Sequence, residues 1–422
     1  MRFGIFRFKK SPGVKVVRHV YIYVASYFLN AVLSFLSIYL LTNYLGENST
    51  HDYGIINLYS SFISLLTPFI SCGIVAPLSV QYYKKTPEEY RQYFTDAGAV
   101  TVASLLLFTA LSFIFQWPLA RFLRVTPAWI LVLPLTVWWT MNNEVTMMMY
   151  RMKNQPWGFA FFSLGRNVTE IILTIILVIG LQMTWRGRLL SATIAPAMLG
   201  LLSIYILNRW QFITRRIDWK QAWRIIWISA PFIFERLSVF VLGNSDKYFI
   251  DKFDLRGTDQ VGLYSVAAQI ASIIFLVILS MNSAYQPYLF QNLAANNREK
   301  VKKITWMYIG AAAIVVIGLF ISIPILFHFF IGRRFWGAKI YAYYLSGGYF
   351  MWAVYNAFLG YLLFHGKNRL ILYISISGMA VSVLLNFYMV PHYGAFGAAI
   401  TSITTYTFLA AICIAAAWKY FK

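Results

Sequence analysis

The sequence predicts an all-α polytopic membrane protein, with about twelve transmembrane helices in two pseudo-symmetric six-helix lobes around a central cavity. Three observations lead there. Of 422 residues, 59% are hydrophobic and 12% charged, with a mean hydropathy of +0.62, whereas soluble domains carry roughly twice that charged share. The apolar residues form blocks of about twenty or more between short charged stretches, the length a helix needs to cross hydrocarbon; strands would need half that. An internal repeat also lies at about half the chain length, as in transporters built from two similar halves.

With charge clusters and Pro/Gly turns taken as breaks, the spans fall at about 20–43, 54–82, 94–116, 127–150, 157–181, 189–208, 224–250, 261–290, 304–331, 338–364, 370–390 and 394–418. The basic start "MRFGIFRFKKSPGVKVVRH" resembles a signal n-region. The apolar stretch after it is too long for an h-region and has no convincing cleavage site, so it reads as an uncleaved first span. Counted on alternate sides, about 24 Lys and Arg lie on the side of both termini and about 10 on the other, which places both termini in the cytoplasm.

The hydrophilic connection "RWQFITRRIDWKQAWR" divides the chain into lobes at 1–210 and 224–422, with a cytoplasmic linker at 211–223. The repeat lays "YLLTNYLGENSTHDYGIINLYSSF" over "KYFIDKFDLRGTDQVGLYSVAAQI" and pairs Gly54 with Gly262. The net charge of +22 sits mostly between apolar blocks, where it meets membrane lipid headgroups, so no nucleic-acid partner is expected. Cys72 and Cys413 fall inside apolar blocks without metal or disulfide spacing. No P-loop or dinucleotide-binding glycine pattern occurs, so no cofactor is expected.

The stretch "ISAPFIFERLSVFVLGNSDKYFIDKF", Ile228 to Phe253, carries ions within a span. A charge near the bilayer centre costs about 2.5–3.5 kcal/mol on insertion scales, so it should face protein or water. On a continuous helix Glu235 and Asp246 share one face, while Arg236, Gly243 and Lys247 share another about 100° round. Asp246 and Lys247 are expected at the outer rim, where long side chains snorkel. Span five places Arg166 and Glu170 at i and i+4, with Ser163 and Asn167 beside them, and span four places Glu144 after Asn142 and Asn143.

Two readings of these ions stand side by side. In one, Arg166 pairs with Glu170, and Arg236 with Glu144 or another acid, as structural glue. In the other, Arg166, Arg236 and Lys247 line a hydrated cavity that draws in an anionic substrate, because guanidinium groups fork onto phosphate oxygens. Glu144, Glu170, Glu235 and Asp246 then serve as coupling or ion-pair acids. Met147 to Met149 and the aromatics read as packing or lipid-facing residues.

The stretch "DKYFIDKFDLRGTDQVGLYSVAAQIASI" from Asp246, the hairpin "NFYMVPHYGAFGAAITSITTY" from Asn386, and Leu45 to Ser60 resemble signatures of the O-antigen and polysaccharide (Wzx-type) flippases. These belong to the multidrug/oligosaccharidyl-lipid/polysaccharide exporter superfamily. Asp254 stands where that family commonly has Gly. The resemblance implies alternating access and turnover of undecaprenyl-pyrophosphate-linked oligosaccharide across the bacterial inner membrane, beside a polysaccharide polymerase and a chain-length regulator. It also implies a non-enzymatic role, and the lack of a nucleotide site points to an ion gradient as the energy source. Within the superfamily the competing function is a cation-coupled multidrug exporter, which should have an acid-dominated cavity. From another class the competitor is a membrane polysaccharide polymerase or acyltransferase, against which the lack of a large outside loop counts.

Overall fold

The computed structural model describes residues 12–214 and 216–421. Residues 1–11 of the basic amino-terminal stretch lie outside the described residues, and with them the side assigned to the amino terminus. Among the described residues every regular element is helical: α1 (Pro12–Tyr44), α2 (Ser49–Ile70), α3 (Val75–Lys84), α4 (Pro87–Ile114), α5 (Gln116–Leu123), α6 (Pro127–Met152) and α7 (Pro156–Thr174), followed by α8 (Thr184–Arg209), α9 (Trp219–Asn244), α10 (Asp246–Phe253), α11 (Thr258–Ala294), α12 (Arg298–Phe330), α13 (Lys339–Phe364) and α14 (Asn368–Phe421). A π-helical turn, Ile175–Gly180, extends α7, and a short 3-10 helix, Arg333–Ala338, precedes α13.

Each of the twelve expected spans overlaps a helix or a helix pair. Among the described residues, nine helices are long and apolar enough to cross a membrane, ten if the bent pair α5–α6 counts as one. The remaining two are α13, whose Tyr, Asn, Ser and Gly residues lower its hydropathy, and the second arm of α14.

Local sequence explains the breaks. Thr86 and Glu89 form a capping box at the start of α4, with Pro87 in the first turn. Arg124 adopts a left-handed φ of 58° after α5 and Pro127 opens α6, so the two helices meet at 91°. As one rod the 54 residues of α14 would run about 80 Å, more than twice the hydrocarbon thickness. It breaks at Gly394, where φ is 57° and ψ −143°. Asp254 caps the second arm: one carboxylate oxygen accepts from Ala395 N at 2.8 Å and the other from Arg256 N at 2.9 Å. A Cβ at Gly394 would collide with that carboxylate. The departure at Asp254 is therefore a structural tether.

The glycines paired by the repeat face each other's halves. A Cβ at Gly54 would strike the Thr258 carbonyl, and one at Gly262 would strike the Thr50 carbonyl. Each threonine lies four residues before its own half's glycine, so the contact is reciprocal, as across a two-fold axis. Further links join the halves at this end. Thr50 Oγ1 donates to Asp259 Oδ1 at 2.6 Å, Arg124 lies 3.6 Å from Asp251, and Arg334 donates to the Gly46 carbonyl at 2.7 Å and to that of Glu47.

At the opposite end the linker is not a free tether. Phe212 and Ile225 belong to a buried cluster with Tyr90, Phe94, Met148 and Met149 of the first half. Thr95 Oγ1 donates to the Phe212 carbonyl and accepts from Thr214 N, Gln92 donates to the Arg216 carbonyl, and Asp96 accepts from Asp218 N at 2.8 Å. Polar side chains on one face of α4 thus hold the connecting segment's backbone.

Lys153, just beyond α6, lies 3.6 Å from the Trp210 ring centroid and 4.9 Å from that of Phe212. Burial against these rings pushes its amine down to about 8 from the ordinary 10.5. The unfolded chain binds the extra proton between those two values, so stability should rise as pH climbs through that window. Thermal unfolding of Lys153→Met in detergent should show that rise flattened. An unchanged pH slope would remove Lys153 as its source.

Candidate functional site

The polar residues of α7 form one stripe, Ser163, Arg166, Asn167, Glu170 and Thr174, because they recur at helical spacing. Asn30 of α1 donates to Ser163 Oγ at 2.6 Å and accepts from Asn167 at 2.7 Å. Lower in the stripe, Arg188 of α8 lies 2.5 Å from Glu170 and donates to Thr174 Oγ1 at 3.1 Å. This corrects the expected Arg166–Glu170 pair: Glu170 is taken by an arginine assigned from sequence to an outside loop.

Arg166 is half-buried and has no acidic partner among the described residues. It lies about half a turn from Trp157 and Val168, which are exposed on the lipid-facing side. Glu144 is likewise half-buried, without a described partner, and about half a turn from exposed Leu135. Both charges therefore point into the interior of the first half. The neighbouring Asn143 is engaged, donating to the Pro196 carbonyl and accepting from Ser203.

On α9, Arg236 is exposed and about half a turn from lipid-facing Trp227 and Phe234. It shares a face with Ser229, whose carbonyl lies 3.0 Å from where a Gly73 Cβ would sit, and with Gly243, where an added Cβ meets nothing within 4 Å. That face packs on the first half near the linker and opens into free space further along. Arg236 lies between these two points on the same face of the helix. The expected pair with Glu144 or another acid is absent among the described residues. Glu235 is exposed, close to the bearing of exposed Val239 on the flank of the helix.

The structure corrects the outer-rim placement of Asp246 and Lys247. A turn at Ser245 separates α9 from α10, and both residues are buried, 4% and 9% exposed. Asp246 turns into the second half, where it accepts from Tyr264 Oη at 2.6 Å, Asn386 Nδ2 at 2.7 Å and Ser402 Oγ at 2.9 Å. Lys247 turns toward the first half and donates to Ser61 Oγ of α2 and Asn244 Oδ1, each at 3.1 Å. Adjacent opposite charges thus serve different halves, each solvated by neutral groups.

Asn386 Oδ1 and the hydroxyls of Thr401 and Thr405 are buried without a hydrogen-bond partner. One carboxylate with neutral oxygens nearby suits a proton or a monovalent cation. It does not suit a divalent metal, and no cluster of three His, Cys, Asp or Glu occurs among the described residues. Asn386 and Ser402 come from the two arms of α14, brought together by the bend at Gly394, which sequence spacing does not reveal.

Comparison with known proteins fits this architecture. The family model described as "Polysaccharide biosynthesis protein" matches residues 16–293, and the MatE model matches residues 231–388. The Lsg locus protein 1 of Haemophilus influenzae is 24% identical over 386 residues, covering 85% of this chain and 87% of its own length. Among solved structures, lipid II flippase MurJ in an inward closed conformation superposes with a TM-score of 0.74 at 13% identity, over 94% of this chain and 87% of its own. An inward-facing MATE multidrug resistance transporter gives 0.70 at 14% identity, over 93% and 98%.

Proposed function

Since the chain belongs to the polysaccharide biosynthesis protein family, within the flippase and exporter superfamily, we propose that it carries an undecaprenyl-pyrophosphate-linked oligosaccharide from the cytoplasmic to the periplasmic leaflet of the bacterial inner membrane. The lobes at 1–210 and 224–422 alternate in access, with both termini in the cytoplasm. The observation that carries this reading is the pair of arginines without acids: Arg166 and Arg236 each turn from lipid and lack a carboxylate among the described residues. A diphosphate entering low-dielectric space needs fixed positive charge to offset its lost hydration. Guanidinium groups already neutralised by carboxylates could not supply it.

Energy coupling is assigned to Asp246. Its carboxylate sits in the second half among neutral donors, and Lys247 beside it reaches Ser61 of the first half. Binding of a proton or monovalent cation at Asp246 changes the charge balance at the contact between halves. The drug-exporter alternative would draw on Glu144 and Glu235, which lie within spans and form no ion pair among the described residues, instead of the arginines.

The test is complementation of a strain lacking this gene. Arg166→Ala and Arg236→Ala should each remove surface polysaccharide while the protein stays in the membrane, and the Lys variants should restore part of it. The deletion strain should accumulate lipid-linked oligosaccharide on the cytoplasmic leaflet. Full complementation by both alanine variants would overturn the substrate role of these residues.

A further inference from the structure

We propose that the surface formed by Arg216, Lys220 and Arg224, together with Trp219 and Trp223, binds the anionic headgroup of a membrane phospholipid.

The site is built where the linker becomes α9. An open depression of about 530 Å³ is lined by Gln92, Arg216, Ile217, Asp218, Trp219 and Lys220. Its backbone is held in place, because Gln92 donates to the Arg216 carbonyl at 3.0 Å and Asp96 accepts from Asp218 N at 2.8 Å. The Arg216 side chain therefore projects from a fixed position, unlike a lysine on a loose loop. Asp218 offsets only part of the charge: its Oδ1 caps α9 by accepting from Lys220 N and Gln221 N, and the three cations outnumber it. Arg216, Lys220 and Arg224 are exposed and have no acidic partner among the described residues.

The chemistry of the occupant follows from what surrounds these cations. Trp219, Trp223 and Trp227 are 66%, 61% and 66% exposed and stand at i, i+4 and i+8. They form a stripe about 12 Å long beside the Lys220–Arg224 pair. The same helix continues as an apolar span to Asn244, so its first turns lie in the headgroup zone, which is about 5–8 Å deep on each side of the hydrocarbon. Indole rings at that depth pack on glycerol and upper acyl chain, and the three cations above them meet a phosphate. A free phosphate would leave the tryptophan stripe without a partner. The bound lipid touches the linker and the first turns of α9, next to the Gln92 and Asp96 contacts that join the two halves.

The test uses the purified full chain in mixed micelles of detergent with phosphatidylglycerol or phosphatidylcholine, reading the thermal midpoint and the lipids retained by mass spectrometry. Phosphatidylglycerol should raise the midpoint of the wild-type protein more than phosphatidylcholine does. Arg216→Gln/Lys220→Gln/Arg224→Gln should lose at least half of that difference and one retained lipid. Lys220→Gln/Arg224→Gln, which leaves the segment before α9 untouched, should show the same loss in smaller degree. The control Arg298→Gln/Lys300→Gln/Lys303→Gln removes equal charge from the α11–α12 turn and should keep the wild-type response. Equal responses from the two triple variants would overturn the proposal in favour of diffuse surface charge. Displacement of phosphatidylglycerol by sub-stoichiometric undecaprenyl diphosphate would also overturn it, by making this an entry site for the transported lipid.

Discussion

Asp246→Ala should abolish surface polysaccharide in a complementation assay and lower the thermal midpoint of the purified protein. The carboxylate accepts three hydrogen bonds from Tyr264, Asn386 and Ser402, and its removal leaves the Asn386 amide without that acceptor and Tyr264 and Ser402 with only their 3.3 Å contact to each other. It also takes away the negative charge beside Lys247, whose direct partners Ser61 and Asn244 are both neutral. Each buried donor left unsatisfied costs about 1–3 kcal/mol, a large fraction of the stability of most domains. Asp246→Asn separates structure from transport. The amide keeps the shape and one acceptor oxygen, so more of the protein should fold than with alanine, yet transport should remain absent because no charge is left to titrate or bind a cation. Wild-type export by Asp246→Asn at normal membrane levels would exclude a coupling role for this carboxylate.

Gly54→Leu and Gly262→Leu should each give the next largest loss, in folding as well as transport. At both positions the obstacle to a side chain is the backbone carbonyl of Thr258 or Thr50, which cannot rotate away, so α2 and α11 must separate. Overpacking of this kind costs about 1–3 kcal/mol where side chains can yield, and should reach the upper end where only backbone can move. The two sites share one crossing, so the effects should not add: once one leucine has parted the helices, the second should cost less. Thermal midpoints of both single variants and the double variant measure this. Strict additivity would mean that the two contacts are independent and that the reciprocal crossing is not a single unit.

The contrast between Glu170 and Arg166 shows why the site was only partly legible. From sequence the two are one helical turn apart and invite a pair. In the fold Arg188 of the neighbouring helix reaches Glu170 first, and Arg166 is released to face the interior. An i, i+4 spacing permits an ion pair but cannot rank it against a competitor from another helix. Asp246 and Lys247 were misplaced for a related reason. Treating Ile228 to Phe253 as one rod set them at its rim, while the turn at Ser245 and the packing of α10 on α2 and α14 drew both inward. Asn386 and Ser402 stood inside a hairpin from which sequence reading took only a family resemblance and no site residue. Their role emerges only because the bend at Gly394 folds the two arms of α14 back toward each other.

Composition and the spacing of apolar blocks determined by themselves that this chain is a helical multi-pass membrane protein, where its spans lie, and which charges would need partners. Those are local properties: a bilayer demands internal hydrogen bonding and a set helix length, and any chain that meets the demand displays it in linear order. Only the tertiary structure decided which charges found counter-ions, which turned toward open space, and that a hydrophilic stretch read as a linker is held down by α4. Pairing of buried ions depends on the distance and angle between groups far apart in the chain. Helix packing sets those quantities, and no spacing along one helix contains them.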